Sequence, residues 1–413
     1  MEGEFSDNSA AGDGAKAGIV DLCAGIGCVA RGFEATNHFE AVALVDIDFD
    51  ARRTWERNYS HVDYLATDVR RLEARELLQC ADGREITGIV GCPPCQGFSA
   101  AGRRRADDNR NKLLGAFFDV VRTLSPRFFV MENVPSILHR SELRAQEEAL
   151  NQRYEIRAGL INAALFGLPQ TRERAVVVGI DRELAVTPSL PAPTHLGARP
   201  IFSYSAADFV IPTVENLSKA IGTSPQIGIP IPERHDVTES LPDDPDQLQD
   251  LVTVWDAIGD LPALAEERPT PPSPPSEFAL SLGAKSKSPQ NHEPWGHSDT
   301  TIKRLSTIPE GGRLKTKRRY YSQAYARLHR QGLSRTVTTN FHNAGCGRFT
   351  HPLEPRTLTV REAARLQGIS DDFRFSGHGA LQERLVGNAF PPVLAEALAQ
   401  HLAAQLRGVG ALP

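Results

Sequence analysis

Five short apolar runs recur between residues 17 and 180: AGIVDL (17–22), AVALVD (41–46), ITGIVG (86–91), RFFVM (127–131) and RAVVVGI (174–180). Continuous apolar runs of this length suit strands buried on both faces, as in parallel sheets covered by helices. Helical segments lie between them. In 112–124, Leu113, Leu114, Phe117, Phe118, Val121 and Leu124 recur at helical spacing. A chain written this way is constrained to an α/β fold of βαβ units, with all five runs expected as parallel strands.

The pattern stops near residue 181. Residues 187–275 are rich in proline, with TPSLPAPT and RPTPPSPPS as the clearest breakers, which argues for a loop-rich second domain rather than more parallel sheet. Ordered signal returns with VTVWDAIGDLP (252–262). From about 356 the pattern is helical. Thr359 and Glu362 form a capping box ahead of AARLQ, and Gly368 can end that helix. PPVLAEALAQHLAAQL starts on prolines and sets Leu394, Leu398 and Leu402 on one face.

At 413 residues, 40% of them hydrophobic, the chain can build two or three domains with a sizeable core. A formal charge of −5 assigns no partner, but its placement is uneven. Residues 233–250 carry seven acids against Arg234, while 313–330 carry seven bases and no acid, a surface able to attract polyanions. The first 16 residues are small, polar and acidic, unlike a signal peptide, and are expected to be a disordered tail. No apolar run approaches the roughly 20 residues of a membrane helix, so no membrane partner is expected. Six cysteines in such a chain are no disulfide framework, and a reducing cytoplasm is the expected setting.

The chemistry-bearing segments sit at strand ends. VDLCAGIGCVARGFE (20–34) runs from a strand through Gly25 and Gly27 into a helix, a turn that lets backbone approach a nucleotide-type ligand. Its glycine spacing is not G-x-G-x-x-G. Asp46 ends the next strand about twenty residues on, where a carboxylate can accept ribose hydroxyls. Asp68, in ATDVR, ends a further extended stretch along the same edge. GCPPCQGFSAAGRRR (91–105) holds Cys92 and Cys95 as C-x-x-C, which with Cys23 and Cys28 could make a zinc site or a redox dithiol. Cys23 and Cys28 already occupy the glycine turn, and a polar loop rather than a helix follows Cys95. One reactive cysteine, stiffened by Pro93 and Pro94, is the reading that remains.

GCPPCQGFSAAGRRR resembles the catalytic-loop motif of the DNA cytosine-5 methyltransferases. The other motifs of that family follow in order: DLCAGIG resembles the S-adenosylmethionine turn, MENV (131–134) the glutamate motif, and QTRERAVVVGI (170–180) the Gln-x-Arg-x-Arg motif. REAARLQGI (361–369) and GNAFPP (387–392) match the last two, so the resemblance covers roughly 18–180 and 252–413. Cys23 departs from a common phenylalanine, Cys28 from a frequent glycine, and the acidic proline-rich stretch has no counterpart in the family.

The resemblance implies a Rossmann-like methyltransferase domain, discontinuous over 17–185 and 355–413. A smaller loop- and strand-rich target-recognition domain would occupy 186–354, with a proline-rich acidic insertion at about 187–250. Its substrates would be S-adenosylmethionine and double-stranded DNA. Cys95 would be the nucleophile that adds to carbon 6 of a flipped cytosine, Glu132 the partner of ring nitrogen 3, and Arg172 and Arg174 a clamp on base and backbone, sharing one face of a strand. The cofactor would lie among Asp21, Cys23, Ala24, Gly25, Gly27, Asp46, Ile47, Asp68, Val69, Pro93, Leu113, Asn388 and Ala389. DNA would meet Gln96, Ser99, Arg103, Arg104 and Arg105 of a mobile loop, and Arg335, Thr336 and Thr338 of SRTVTTNFHNAGCGRF (334–349). The enzyme would be a bacterial cytoplasmic modification methylase or an orphan, with a restriction endonuclease as a possible companion in the same system. A monomer is the default, because flipping one base needs one active site. The alternatives are a transfer-RNA cytosine-5 methyltransferase and a non-catalytic DNA-binding or thiol–metal protein.

Overall fold

The alternation of apolar runs and amphipathic segments produces a layered fold. The structure, a computed structural model, describes residues 15–59, 61–94, 112–196, 248–264, 272–284, 289–314 and 323–412. In chain order the first part comprises β1 (Ala17–Leu22), α1 (Cys28–Ala35), β2 (Phe39–Asp46), α2 (Phe49–Asn58), β3 (Asp63–Ala66), α3 (Ala74–Ala81), β4 (Ile86–Gly91), α4 (Lys112–Leu124), β5 (Phe128–Asn133), α5 (Ser141–Leu150), β6 (Tyr154–Asn162), β7 (Gln170–Thr171) and β8 (Glu173–Asp181). Seven of these strands form one sheet in the order β3-β2-β1-β4-β5-β8-β6. The chain reverses direction of travel between β1 and β4, the switch point where α/β sheets open a ligand crevice at the carboxyl ends of their strands.

Four of the five apolar runs are parallel: β1 pairs with β2 and β4, and β4 with β5. The fifth is not. RAVVVGI lies in β8, which pairs antiparallel with both β5 and β6. Only residues 163–172 separate β6 from β8, holding one 3-10 turn and the two-residue β7. A parallel crossover needs a dozen or more residues, so so short a return forces the antiparallel arrangement.

Alternate residues of each strand feed opposite faces. Ile19, Leu44, Val130, Val176 and Val178 pack with α1 and the helix Pro392–Arg407, whose Leu394, Leu398 and Leu402 are buried there. Val20, Leu22, Ile89, Met131 and Val177 pack with Leu114, Phe117, Phe118 and Val121 of α4. The first and last helices of the fold meet closely at Gly32. A Cβ there would stand 2.4 Å from the Cβ of Ala395 and 2.5 Å from the carbonyl oxygen of Pro392.

The second part is loop-rich. Its described residues hold short helices at Val254–Ile258, Glu277–Ser281 and Asp299–Ser306, and one two-residue strand, β9 (Ser334–Arg335). β9 pairs in parallel with β7, Gln170 opposite Ser334 and Thr171 opposite Arg335. A third apolar cluster joins Val254, Ile258, Val337, Phe341 and Phe349 to Leu358, Leu366 and Leu385. The capping box at Thr359 and Glu362 forms as the sequence requires, and Gly368 follows that helix at φ 72°.

Candidate active site

The turn after β1 is shaped by its backbone. Cys23, Gly25 and Gly27 all have positive φ, and Gly27 caps α1 in the left-handed region. At Gly27 a side chain has no room, because a Cβ would meet the Trp55 ring at 2.3 Å; at Gly25 a Cβ meets nothing within 4 Å. Asp46 straps the turn to β2: its Oδ2 accepts from the Gly25 amide at 2.9 Å and its Oδ1 from the Asp48 amide at 2.8 Å. Burial raises the Asp46 carboxyl above its usual range. Tyr64 closes the far side, its hydroxyl donating to the Gly25 carbonyl at 2.8 Å.

Asp21 lies beneath the turn, fully buried. Its Oδ2 accepts from the Ala30 amide at 3.1 Å, while Oδ1 has no partner among the described residues. Burial pushes this carboxyl up to about 8. Ile47, next after Asp46, is 70% exposed despite being a large apolar side chain. Asp68 caps a 3-10 turn beginning at the buried Val69 and holds Arg70 by a hydrogen bond that lowers its carboxyl. Leu113 is partly buried against α4's cluster, and Ala24 is buried at the turn.

The second component is the pair of parallel strand ends at β4 and β5. Gly91 pairs with Met131, so Cys92 stands beside Glu132. The Cys92 amide donates to the Leu22 carbonyl at 3.2 Å, and Asn133 Nδ2 donates to the Pro93 carbonyl at 3.0 Å. These bonds tie the start of the cysteine loop to β1 and β5 together. Burial raises the Cys92 thiol well above its ordinary value, and the nearby Glu132 carboxylate adds to this. Glu132 is itself paired with Arg174, Nε to Oε1 at 2.6 Å, with both side chains mostly buried. Cys95, Gln96, Ser99, Arg103, Arg104 and Arg105 lie outside the described residues.

Of the two arginines of the Gln-x-Arg-x-Arg segment, expected together on one strand, only Arg174 lies in a strand. Arg172 falls in the break between β7 and β8, and its guanidinium is buried. Its Nη1 donates to the Val337 carbonyl at 3.3 Å and its Nη2 to the Ala389 carbonyl at 3.1 Å. Burial lowers Arg172 to about 9, with Arg174 adding to the shift. The break has a cause in sequence: Gln170 turns inward, giving its amide to the Leu366 carbonyl and Gln367 and accepting from the Val337 amide at 2.8 Å. Gln367 in turn donates to the Val386 and Ala389 carbonyls at 2.9 and 3.3 Å. A buried amide left unpaired is costly, so this network demands all its members.

That network is how four distant segments are brought to one place. Ala389 packs with Ile26 and Cys28 of the cofactor-side turn, while Asn388 beside it is exposed. Arg335 and Thr336 lie on or next to β9, half-buried, and Thr338 is exposed. Gly387 touches the backbone at Thr338, where a Cβ would come within 2.5 Å of its carbonyl carbon. Sequence reasoning singled out neither Tyr64 nor Gln367 as parts of the site. Tyr64 is a lone aromatic in a four-residue strand, with no local signal; Gln367 sits among apolar helix positions, and an amide there is the signal of a buried partner.

Residues 17–404 match the family described as C-5 cytosine-specific DNA methylase. The chain is 30% identical over 396 residues to the type II methyltransferase M1.HphI of Haemophilus parahaemolyticus, which covers 92% of this chain and 85% of that protein. It is 27% identical over 420 residues to the type II methyltransferase M.DdeI of Desulfomicrobium norvegicum, covering 93% and 88%. In fold it is similar to a crystal structure described as a prophage-encoded DNA modification methyltransferase (E. coli), with a TM-score of 0.65 at 24% identity over 95% of this chain and 100% of that one. The S. pombe Dnmt2 methyltransferase shares the fold at a TM-score of 0.54 and 13% identity, over 95% of this chain and 99% of that one. A match running from the first strand into the last helix takes in all seven strands of the sheet: the chain belongs to the C-5 cytosine-specific DNA methylases and is a DNA (cytosine-5) methyltransferase.

Proposed function

We propose that the enzyme transfers a methyl group from S-adenosylmethionine to carbon 5 of a cytosine flipped out of a short, specific double-stranded DNA site, through a transient bond to Cys95. One observation carries the reading. Asn133 holds the Pro93 carbonyl two residues before Cys95, while its neighbour Glu132 is held by Arg174. The cysteine loop therefore starts beside an oriented carboxylate.

The turn after β1 fits the cofactor. The unpartnered Asp21 Oδ1, the open space at Gly25, and the exposed Ile47 beside Asp46 are the features that an adenosyl ligand with a cationic methionine end would fill. Asp46 would accept from the ribose, Ile47 would pack on adenine with Asp68 and Val69 at its edge, and Cys23 to Gly27 would line the methionine end. Pro93, Leu113, Asn388 and Ala389 would complete the wall. When bound, S-adenosylmethionine supplies an electrophilic methyl group.

Cytosine carbon 5 is a poor nucleophile until a thiolate adds to carbon 6. Cys95 makes that bond. Glu132 hydrogen-bonds nitrogen 3 and the exocyclic amine, meeting the charge that develops there, and Arg174 keeps Glu132 in place and reaches the 2-oxo group. Arg172 acts on the backbone that carries them. Loss of the carbon 5 proton and expulsion of the Cys95 thiolate then restore the enzyme. Target recognition falls to 186–354, and the type II relatives support a bacterial modification enzyme; the same proposal has it act as a monomer in the cytoplasm, with or without a companion endonuclease. Among the described residues no helix is long and apolar enough to cross a membrane. Bisulfite sequencing of DNA from cells expressing the protein tests the reading. Protected cytosines in one short context are expected with the native chain and none with Cys95→Ser, which should still bind duplex DNA. Methylation confined to RNA, or surviving in the Cys95→Ser enzyme, overturns it.

A further inference from the structure

His342, in the segment 334–349, is restrained far beyond what a surface side chain needs. Its ring is 41% exposed, yet its Nδ1 lies 2.6 Å from Oε2 of Glu383, whose own side chain is 1% exposed. The His342 amide donates to the other oxygen of the same carboxylate, also at 2.6 Å. Its carbonyl accepts from the Thr357 hydroxyl at 3.0 Å. The ring rests on the Trp295 indole, centroids 5.2 Å apart, and that indole is anchored to the Leu358 carbonyl at 2.7 Å.

These contacts leave one ring atom unaccounted for. A carboxylate only accepts, so Nδ1 carries the proton it shares with Glu383. Nε2 then remains, with no partner among the described residues. Immobilising an exposed imidazole costs side-chain entropy, and burying the Glu383 carboxylate costs solvation; burial does raise that carboxyl. The setting points to what Nε2 meets. Val337, five residues before, is tied to Gln170 and Arg172, and the intervening Thr338 and Asn340 are exposed. The ring thus stands on the rigid rim where the loop-rich part meets the catalytic part.

We propose that His342 contacts a phosphate of the DNA backbone through Nε2, with Glu383 as its positioning residue. The proposal rests on the reading that duplex DNA is the substrate. With Nδ1–H serving Glu383, a contact from Nε2 to a phosphate oxygen requires the ring to donate from both nitrogens, a charge-assisted pair on each side. A base-edge role is less suited, since it would ask for a forked donor set of the kind arginine carries. Contacts of this type position the protein on the duplex without reading sequence.

Duplex binding by the full-length enzyme, measured against salt concentration, tests this. His342→Gln keeps a nitrogen near Nε2 but no charge. It should weaken binding about 10-fold equally on cognate and unrelated duplexes, and lower the salt slope by about one. Glu383→Gln should reproduce both effects, and the double variant should add little to either. A native enzyme that fails to bind duplex DNA sinks the substrate reading itself. A native enzyme that binds, with variants that keep its affinity and slope, or that lose affinity for the cognate sequence alone, overturns the phosphate contact while leaving the substrate reading intact. Thermal unfolding of each variant close to that of the native chain excludes misfolding, and His342→Lys, which restores the charge, should recover the salt slope.

Discussion

Two arginines separated by one residue ended in different trades. Arg174 meets Glu132 at the strand end, where charge would develop on a bound base. Arg172 is spent on two backbone carbonyls inside the protein. Truncating them should therefore do different things. Arg174→Ala should cut methyl transfer by about 100-fold or more, the scale of losing one oriented electrostatic partner, with the fold preserved. Arg172→Ala should lower unfolding stability by about 2–4 kcal/mol, through a cavity and unpaired buried carbonyls. Chemical denaturation beside a methyl-transfer assay separates the two, and equal stability losses would show the division to be wrong. Spacing by two could suggest a shared face but not the kink between β7 and β8, because the cause of that kink, the inward Gln170, has partners near residue 367 and at Val337. His342 was equally invisible in sequence: its significance comes from Glu383, forty-one residues away.

At the level of elements, close packing reverses an ordinary expectation. Glycine inside a helix normally costs about 0.5–1 kcal/mol relative to alanine, so Gly→Ala should stabilise. Gly32 is mid-helix in α1, yet a methyl there would overlap both Ala395 and the Pro392 carbonyl. Gly32→Ala should instead destabilise by about 1–3 kcal/mol, read from the denaturation midpoint. A stabilised variant would mean that α1 and the Pro392–Arg407 helix do not meet as described. Much of this layer was legible. Strands β1, β2, β4 and β5, the helix α4, the Thr359 capping box and the leucine face of the last helix all followed from local periodicity. Direction and edges were not. An apolar run such as AVVVGI announces burial on both faces without saying which way the strand runs; that depends on the length of the return from β6. The edge strand β6 went unread although Tyr154, Ile156, Ala158 and Leu160 alternate along it, because Glu155 and Arg157 dilute the apolar run.

For the molecule as a whole, two buried groups set opposing responses to pH. His351 is buried, and desolvation with Arg356 nearby lowers it from 6.5 to about 4. The unfolded chain binds that proton first on acidification, so His351 leaves stability intact above 6.5 and removes it as pH falls toward 4. Glu362 beside it acts in the same sense: burial alone would raise its carboxyl, but Arg356 pulls it well below the usual range, and its contribution is lost at still lower pH. Asp21 works the other way. Raised by burial from 3.8 to about 8, it destabilises fully above 8 and ceases to do so as pH falls toward 3.8. Between about pH 7 and pH 5 the His351 and Asp21 contributions should therefore largely offset one another, so that on acidification His351→Gln gains on the order of 2 kcal/mol relative to the native protein and Asp21→Asn loses a similar amount. Denaturant titrations at the two pH values decide this, and parallel pH responses in all three proteins would sink it.

The seat of α1 against the Pro392–Arg407 helix also has a bearing on how the polypeptide is made. One apolar cluster contains Ala17 and Phe33 together with Leu402, Leu406 and Leu412. A ribosome therefore delivers the start of that cluster nearly four hundred residues before its end. Throughout that delay the flank of the leading helix around Gly32 lacks the late helix that will cover it, and shielding it falls to whatever waits at the exit tunnel.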